Sequence, residues 1–162
     1  MTDEGADDGW DRERIWRSML YAQRSMWLRL TARLKKDFDL TAAEFEVLGV
    51  LREAPDHRMR ATRLAAQMAY SSGSASNLFS RLVERGLVAR APYPEDARVV
   101  LIALTPDGLR LSRRAGAAHR QDLLEQFAPL VRPEEVAPLL EFTRRFEEAE
   151  GVVTSEEALP RK

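Results

Sequence analysis

Residues 72–108 read SGSASNLFSRLVERGLVARAPYPEDARVVLIALTPDG, and the order of elements in this stretch decides the fold. Four apolar residues at spacings of three and four predict a helix over Ser72–Arg85, and the glycine that follows suits the left-handed turn that ends many helices. The segments Leu87–Ala91 and Val99–Leu104 predict the strands of a hairpin whose long tip is PYPEDAR. Thr105 then starts another helix as its N-cap, with a proline at the first helical position.

Upstream of this stretch, the first predicted helix is unusually long. Residues Trp10–Lys36 contain no proline or glycine, and their apolar residues recur every three or four positions. This spacing predicts an amphipathic helix, which at about 1.5 Å per residue is roughly 40 Å long. A small domain does not need so long a helix, so a second copy of the chain is the simplest partner for its remaining apolar surface.

Two shorter helices separate this long helix from the opening stretch. Over residues 40–51, Thr41 and Glu44 have the spacing of a capping box, and Leu40 and Phe45 have that of a hydrophobic staple. The next helix is predicted over residues 62–68, after a short connection over residues 56–60. The polar turn YSSGS then leads into the helix that begins at residue 72.

Downstream, the helix that begins near Thr105 is predicted to continue to about Phe127, followed by a last helix over Pro133–Ala149. Pro138 is expected to kink or restart this last helix, because proline lacks an amide hydrogen. The acidic residues 1–9 are expected to be disordered, and residues 150–162 are expected to form a loose tail.

The net charge of −1 conceals an uneven distribution of charge. Between Arg58 and Arg98, seven arginines stand against Glu84, Glu95 and Asp96, so this segment carries +4 and the rest of the chain carries −5. Acidic residues are concentrated near both ends of the chain. A basic middle between acidic ends favours a polyanionic partner, although charged runs are often simply solvated surface.

Composition argues against several classes of protein. Cysteine is absent, which excludes disulfides, thiol redox chemistry and cysteine-ligated metals. We find no apolar run long enough to span a membrane and no apolar secretory leader, so a cytoplasmic protein without a membrane partner is expected. His57 and His119 are too few for a metal site, and glycine-rich phosphate loops and nucleophile elbows are missing. We therefore expect neither an enzyme nor a cofactor.

The predicted helix over residues 72–85 has a polar side suited to DNA. A helix fits the major groove, where small donors and acceptors approach the edges of the bases. This side carries small or hydrogen-bonding residues, namely Ser72, Ser74, Ser76, Asn77, Ser80 and Arg81. Helix, polar turn, second helix and hairpin follow one another in the order of a winged helix-turn-helix. The predicted fold is therefore mainly α with a small β-hairpin wing.

The segment Leu40–Arg110 resembles the MarR family of bacterial transcriptional regulators. The resemblance rests on the stretches LTAAEFEVL, RLAAQM, GSASNLFSRLVERGLVAR and DARVVLIALTPDG, of which the wing sequence is the most specific. It implies a DNA-binding domain over residues 40–104, and N- and C-terminal dimerisation helices over residues 10–38 and 105–149. The long helices at both ends extend the resemblance over nearly the whole chain.

The resemblance also implies roles for individual residues. Arg98 matches the wing arginine that enters the minor groove, and Asp96 matches the residue that helps to hold the wing in place. Positions matching the DNA-facing part of the recognition helix are Ser72, Ser74, Ser76 and Asn77, with Arg81 near the backbone. Asn77 departs from many relatives, which carry a long basic residue there, so the base preference is expected to differ.

Taken together, these features predict a homodimeric repressor that binds a pseudo-palindromic site in double-stranded DNA. The resemblance implies a small aromatic or phenolic effector that releases the repressor, with Trp16, Tyr21, Trp27 and His119 as pocket candidates. For the three aromatic residues, packing in the core or at the dimer interface is the favoured alternative, and for His119 a structural role. A winged-helix module that binds proteins instead of DNA is the second functional hypothesis.

Overall fold

The computed structural model describes residues 8–93 and 96–150 of the chain. Its described part contains six α-helices and one three-stranded antiparallel sheet. The helices are α1 (Asp8–Phe38), α2 (Ala42–Glu53), α3 (Ala61–Gln67), α4 (Ser72–Glu84), α5 (Pro106–Gln126) and α6 (Val136–Glu150). The strands are β1 (Arg58–Arg60), β2 (Val88–Tyr93) and β3 (Asp96–Leu104). Short 3-10 turns precede β1 and α6 and follow α5. This is the predicted winged helix-turn-helix architecture.

The local signals at the helix ends are confirmed. Thr41 accepts a hydrogen bond from the backbone of Glu44, whose carboxylate accepts one from the Thr41 amide, which completes the capping box of α2. Gly86 follows α4 with a φ of +68°, the left-handed conformation in which glycine carries no steric penalty. Thr105 caps α5 by accepting a hydrogen bond from the Gly108 amide.

The sheet differs from the sequence prediction in two ways. The connection expected over residues 56–60 contains β1, whose Met59 is paired with Ile102 of β3. The hairpin strands are also longer than predicted, because β2 continues through Pro92 to Tyr93 and β3 begins at Asp96. Pro92 is tolerated because β2 is an edge strand, where one side of the backbone needs no ladder partner. The long tip over residues 92–98 was therefore a wrong prediction; residues 94 and 95 lie outside the described residues.

Three predictions near the chain ends also need correction. Asp8 and Gly9 belong to α1 rather than to a disordered segment, while residues 1–7 lie outside the described residues. Pro138 is only the third residue of α6, in the first turn, where amide hydrogens have no helical acceptor, so it is accommodated without a break. Glu150 ends α6 rather than starting the tail, and residues 151–162 lie outside the described residues.

The hydrophobic core lies between α2, α3, α4 and the sheet, where leucines from each helix meet Val88 and Ile102. Helix α5 joins this core through Ser112, a buried hydroxyl that donates a hydrogen bond to the Leu48 carbonyl oxygen at 3.1 Å. In contrast, the first two thirds of α1 and all of α6 are mostly exposed. No described helix combines the length and the apolar character needed to cross a membrane.

Candidate nucleic-acid interface

Helix α4 presents its polar side to solvent, as predicted. The Ser71 side chain caps it by accepting a hydrogen bond from the Ser74 amide at 3.3 Å. Its other side is buried through Ala75, Leu78, Phe79 and Leu82. The predicted contact residues of this helix are all exposed: Ser72, Ser74, Ser76, Asn77 and Arg81. The core therefore fixes α4 while its hydrogen-bonding side chains stay accessible.

Ser80, in contrast, is half-buried and links α4 to the wing. Its hydroxyl donates to the Ser76 carbonyl oxygen at 2.9 Å and accepts from Nη2 of Arg90 at 2.9 Å. Arg90 belongs to β2, so this bridge joins the recognition helix to the edge strand of the hairpin. From helical spacing, Ser80 was grouped with the DNA-facing residues, because spacing alone does not reveal that a strand lies against this position.

The wing carries Arg98 close to its tip, with an exposed side chain. Asp96 lies two residues earlier, and its Oδ1 accepts a hydrogen bond from the Arg98 backbone amide at 2.9 Å. In the described part of the chain, no carboxylate forms an ion pair with the Arg98 guanidinium. The carboxylate thus holds the backbone of the wing, while the arginine side chain remains available to an external partner.

The base of the wing is joined closely to α5. The Thr105 amide donates to the Leu87 carbonyl oxygen at 3.1 Å, and its hydroxyl donates to the Gly86 carbonyl oxygen at 2.7 Å. Gly108 packs directly on the backbone of Leu87, so that a Cβ placed there would lie 1.9 Å from the Leu87 oxygen. Any larger residue at position 108 would collide with the backbone of Leu87, which explains the glycine in the LTPDG motif.

At the other end of α4, Arg85 connects the recognition helix to the start of α2. Its Nη1 lies 2.9 Å from Oε2 of Glu44, and its Nη2 donates to the Asp39 carbonyl oxygen at 2.8 Å. Glu44 is only 4 % exposed and also accepts from the amide and hydroxyl of Thr41 at 2.9 and 3.0 Å. The capping box was predictable from the sequence, but the contact of Arg85 with Glu44 was not, because the two residues are 41 positions apart and give no local signal.

The candidate effector residues do not come together. A cavity of about 610 Å³ lies between α1 and α5, and its walls include His119 but not Trp16, Tyr21 or Trp27. Its apolar walls come from other residues, namely Ala22, Met26, Leu30, Ala32, Leu123, Phe127 and Leu130.

The three aromatic residues of α1 lie elsewhere and are about half exposed or more. Trp16 instead contacts Phe146 of α6, with 6.3 Å between the ring centroids.

The polar groups of this cavity include His119 and one ion pair, together with Ser25, Arg29 and Gln126. The His119 ring packs edge-on against Phe45, with 5.8 Å between centroids. Arg33 of α1 forms an ion pair with Asp122 of α5 across the cavity wall. In residues 8–93 and 96–150, no group of three or more histidine or carboxylate side chains has the arrangement of a metal site.

Comparison with known proteins agrees with this geometry. A model of the MarR family matches residues 38–99. The multiple antibiotic resistance protein MarR of Salmonella typhimurium is 31 % identical over 111 residues, which cover 68 % of this chain and 76 % of the relative. Among solved structures, the chain is similar to two MarR family regulators of Streptomyces coelicolor.

The first of these two structures is AbsC, with a TM-score of 0.79 and 27 % identity, covering 92 % of this chain and 95 % of AbsC. The second is Sco3205 in complex with DNA, with a TM-score of 0.78 and 28 % identity, covering 90 % of each chain. The likeness therefore extends over the flanking helices as well as the central domain.

Proposed function

The chain belongs to the MarR family, and we propose that it is a dimeric, sequence-specific transcriptional regulator acting on double-stranded DNA in the cytoplasm. The observation that carries this proposal is the pairing of a fixed helix, whose polar side is exposed, with a wing whose arginine has no ion-pair partner among the described residues. Its relatives are transcriptional regulators, and we assign it no catalytic activity. Selection of bound duplexes from a random library, followed by footprinting, tests the proposal and yields the operator.

We further propose that α1, α5 and α6 form the dimer interface, within the boundaries 10–38 and 105–149. This interface would cover large apolar side chains that a single copy leaves exposed: Ile15, Leu20, Leu124, Leu130, Leu139 and Leu140. A two-fold dimer then presents two α4 helices to major grooves about 34 Å apart, which requires a pseudo-palindromic site. Sedimentation equilibrium should give twice the chain mass of 18.4 kDa.

The cavity between α1 and α5 is our candidate site for a small aromatic or phenolic effector that releases a repressor. Its volume of about 610 Å³ suits a small ligand, and His119 can donate a hydrogen bond to a phenolate oxygen. Because α1 and α5 also set the spacing of the two DNA-binding lobes, a ligand between them couples to DNA affinity. Titration of hydroxybenzoates into the protein–DNA complex tests this coupling, and unchanged affinity throughout the series would contradict it.

Replacing Arg98 by alanine is expected to weaken operator binding by about 1–3 kcal/mol, because a groove contact is lost. The slope of log affinity against log salt should also become less steep, by about 0.9 if the arginine neutralises one phosphate. Both quantities can be measured by fluorescence anisotropy with the selected duplex at several salt concentrations.

Arg161→Ala is the matched control, since residue 161 lies outside the residue ranges proposed for DNA binding and for dimerisation. If Arg98→Ala and Arg161→Ala bind the duplex equally well, Arg98 is not a DNA contact. If the wild-type protein selects no duplex at all, the DNA-binding proposal fails and the protein-interaction hypothesis takes its place.

A further inference from the structure

A second basic surface lies beside the wing, away from the residues assigned above. It is an open cleft of about 930 Å³ between β1, the start of α3 and the end of β2. We call it the arginine cleft, and its walls include Asp56, Arg58, Arg60, Arg63, Tyr93 and Leu101. These arginines contribute to the basic charge of residues 58–98, and no other role for them was predicted from the sequence.

The arginine cleft lies on the face of the sheet that points away from the recognition helix. Val100 and Ile102 of β3 line a small cavity together with Ser72 and Ser76 of α4. Successive side chains of a strand point to opposite faces. Leu101, which lines the arginine cleft, therefore points to the other face of the sheet.

The charges in the cleft are arranged to receive an anion. Arg58 is paired with Asp56 at 3.0 Å, whereas the Arg60 guanidinium lies over the Tyr93 ring, 4.8 Å from its centroid. A guanidinium stacked on an aromatic ring keeps its N–H groups in its own plane. They point outward from the stack and can donate to phosphate oxygens. Within the described part of the chain, Arg63 has no ion-pair partner, so three arginines face one carboxylate.

We infer that the arginine cleft binds the phosphodiester backbone of the DNA flanking the operator, on the outer side of each wing. With α4 in the major groove and Arg98 in the next minor groove, the sheet face that carries the arginine cleft is directed along the duplex, away from the recognition helix. The cleft is open to solvent, which suits a polymeric anion better than a small enclosed ligand. This inference rests on the proposed function. It extends the DNA contacts of the protein beyond the base pairs that α4 and the wing tip contact.

Flank length is the variable that tests this inference. A duplex of about 20 base pairs spans two half-sites one helical turn apart together with the adjoining minor grooves. The same selected site should be placed in that duplex and in one of about 40 base pairs. For Arg63→Gln, we expect the salt slope on the long duplex to be about 0.9 less steep than for the wild-type protein. On the short duplex the variant and the wild-type protein should bind alike.

Two further variants make the test independent of any folding defect in one of them. Arg60→Gln should give the same dependence on flank length as Arg63→Gln. Asp56→Asn removes the carboxylate that pairs with Arg58, so binding to the long duplex should tighten and its salt slope should become steeper by about 0.9, the effect of one additional phosphate contact. Asp56 has a φ of +52°, a conformation that asparagine adopts readily, so the fold should tolerate this change.

Arg161→Gln is the charge-matched control, because residue 161 lies outside the residue ranges proposed for DNA binding and for dimerisation. Equal weakening of Arg63→Gln on both duplexes would overturn the inference, since the contact would then lie within the operator. Unchanged slopes on both duplexes would overturn it as well and would favour an acidic protein segment as the occupant of the cleft. If the wild-type protein binds neither duplex, the proposed function fails, and this inference fails with it.

Discussion

Replacing Gly108 by alanine should destabilise the protein by about 3 kcal/mol. The added Cβ would lie 1.9 Å from the carbonyl oxygen of Leu87 and 2.8 Å from its carbonyl carbon, so the backbone itself must move. Overpacking a filled site commonly costs 1–3 kcal/mol, and here the obstacle is main chain rather than a flexible side chain. For a chain of this size the melting temperature should fall by about 6–12 °C, measurable by calorimetry.

The cost is high at Gly108 because several contacts between the wing and α5 depend on the same few atoms. The Leu87 carbonyl oxygen accepts from the Thr105 amide and hydroxyl at 3.1 and 3.2 Å, and the Gly108 amide donates to that hydroxyl at 3.0 Å. A shift of Leu87 therefore disturbs the N-cap of α5 together with the base of β2.

Gly49→Ala is the control for the glycine substitution itself. Gly49 lies inside α2, and a Cβ added there meets no atom within 4 Å. Alanine is a better helix former than glycine by about 0.5–1 kcal/mol, so this variant should be slightly more stable than the wild-type protein. If the two alanine variants have equal stability, the close approach at Leu87 does not restrict residue 108.

The elements that could be predicted from the sequence are those with a local cause. Thr41 and Glu44 are three residues apart and satisfy each other's backbone groups, so their spacing alone identifies the start of α2. The capping threonine and following proline do the same for α5. Helix α4 was predictable because its apolar residues share one side and a glycine in the left-handed conformation follows it.

The features that escaped prediction depend on pairing between distant residues. Strand β1 has three residues, two of them arginines, and it is a strand only because Leu101–Ala103 of β3 pairs with it. The extension of β2 through Pro92 has the same cause, since proline is normally a sign of a chain break. The cavity between α1 and α5 could not be located from the sequence, because its walls join α1 to residues almost 100 positions further along the chain.

The contacts that link α4 to α2 and to the end of α1 are expected to have the second large effect. Arg85 at the end of α4 holds Glu44 of α2 and the backbone of Asp39, which follows α1. Replacing Arg85 by methionine leaves a buried carboxylate without its cation, although Thr41 still donates two hydrogen bonds to it. We expect a loss of about 3 kcal/mol at neutral pH, the lower end of the range for breaking a buried ion pair, measurable by urea unfolding.

The loss should depend on pH in a direction that the contacts determine. Burial raises the pKa of the Glu44 carboxyl, but the hydrogen bonds from Thr41 and Arg85 outweigh it and hold the pKa below its usual value of 4.5. The stability that ionised Glu44 contributes is therefore complete above about pH 4.5 and is lost as the pH falls through the folded-state value. Without Arg85 the pKa of Glu44 rises, so the difference between variant and wild-type protein should shrink in acid.

A double-mutant cycle separates this charge effect from simple loss of packing by the long arginine side chain. In a Glu44→Gln background no buried charge is left behind, so Arg85→Met should cost less than about 1 kcal/mol. An equal cost in both backgrounds would mean that Arg85 acts through its contact with Asp39 and its aliphatic stem. Because the pair joins the end of α4 to the start of α2, a charge effect would also mean that the position of α4 depends on this ion pair.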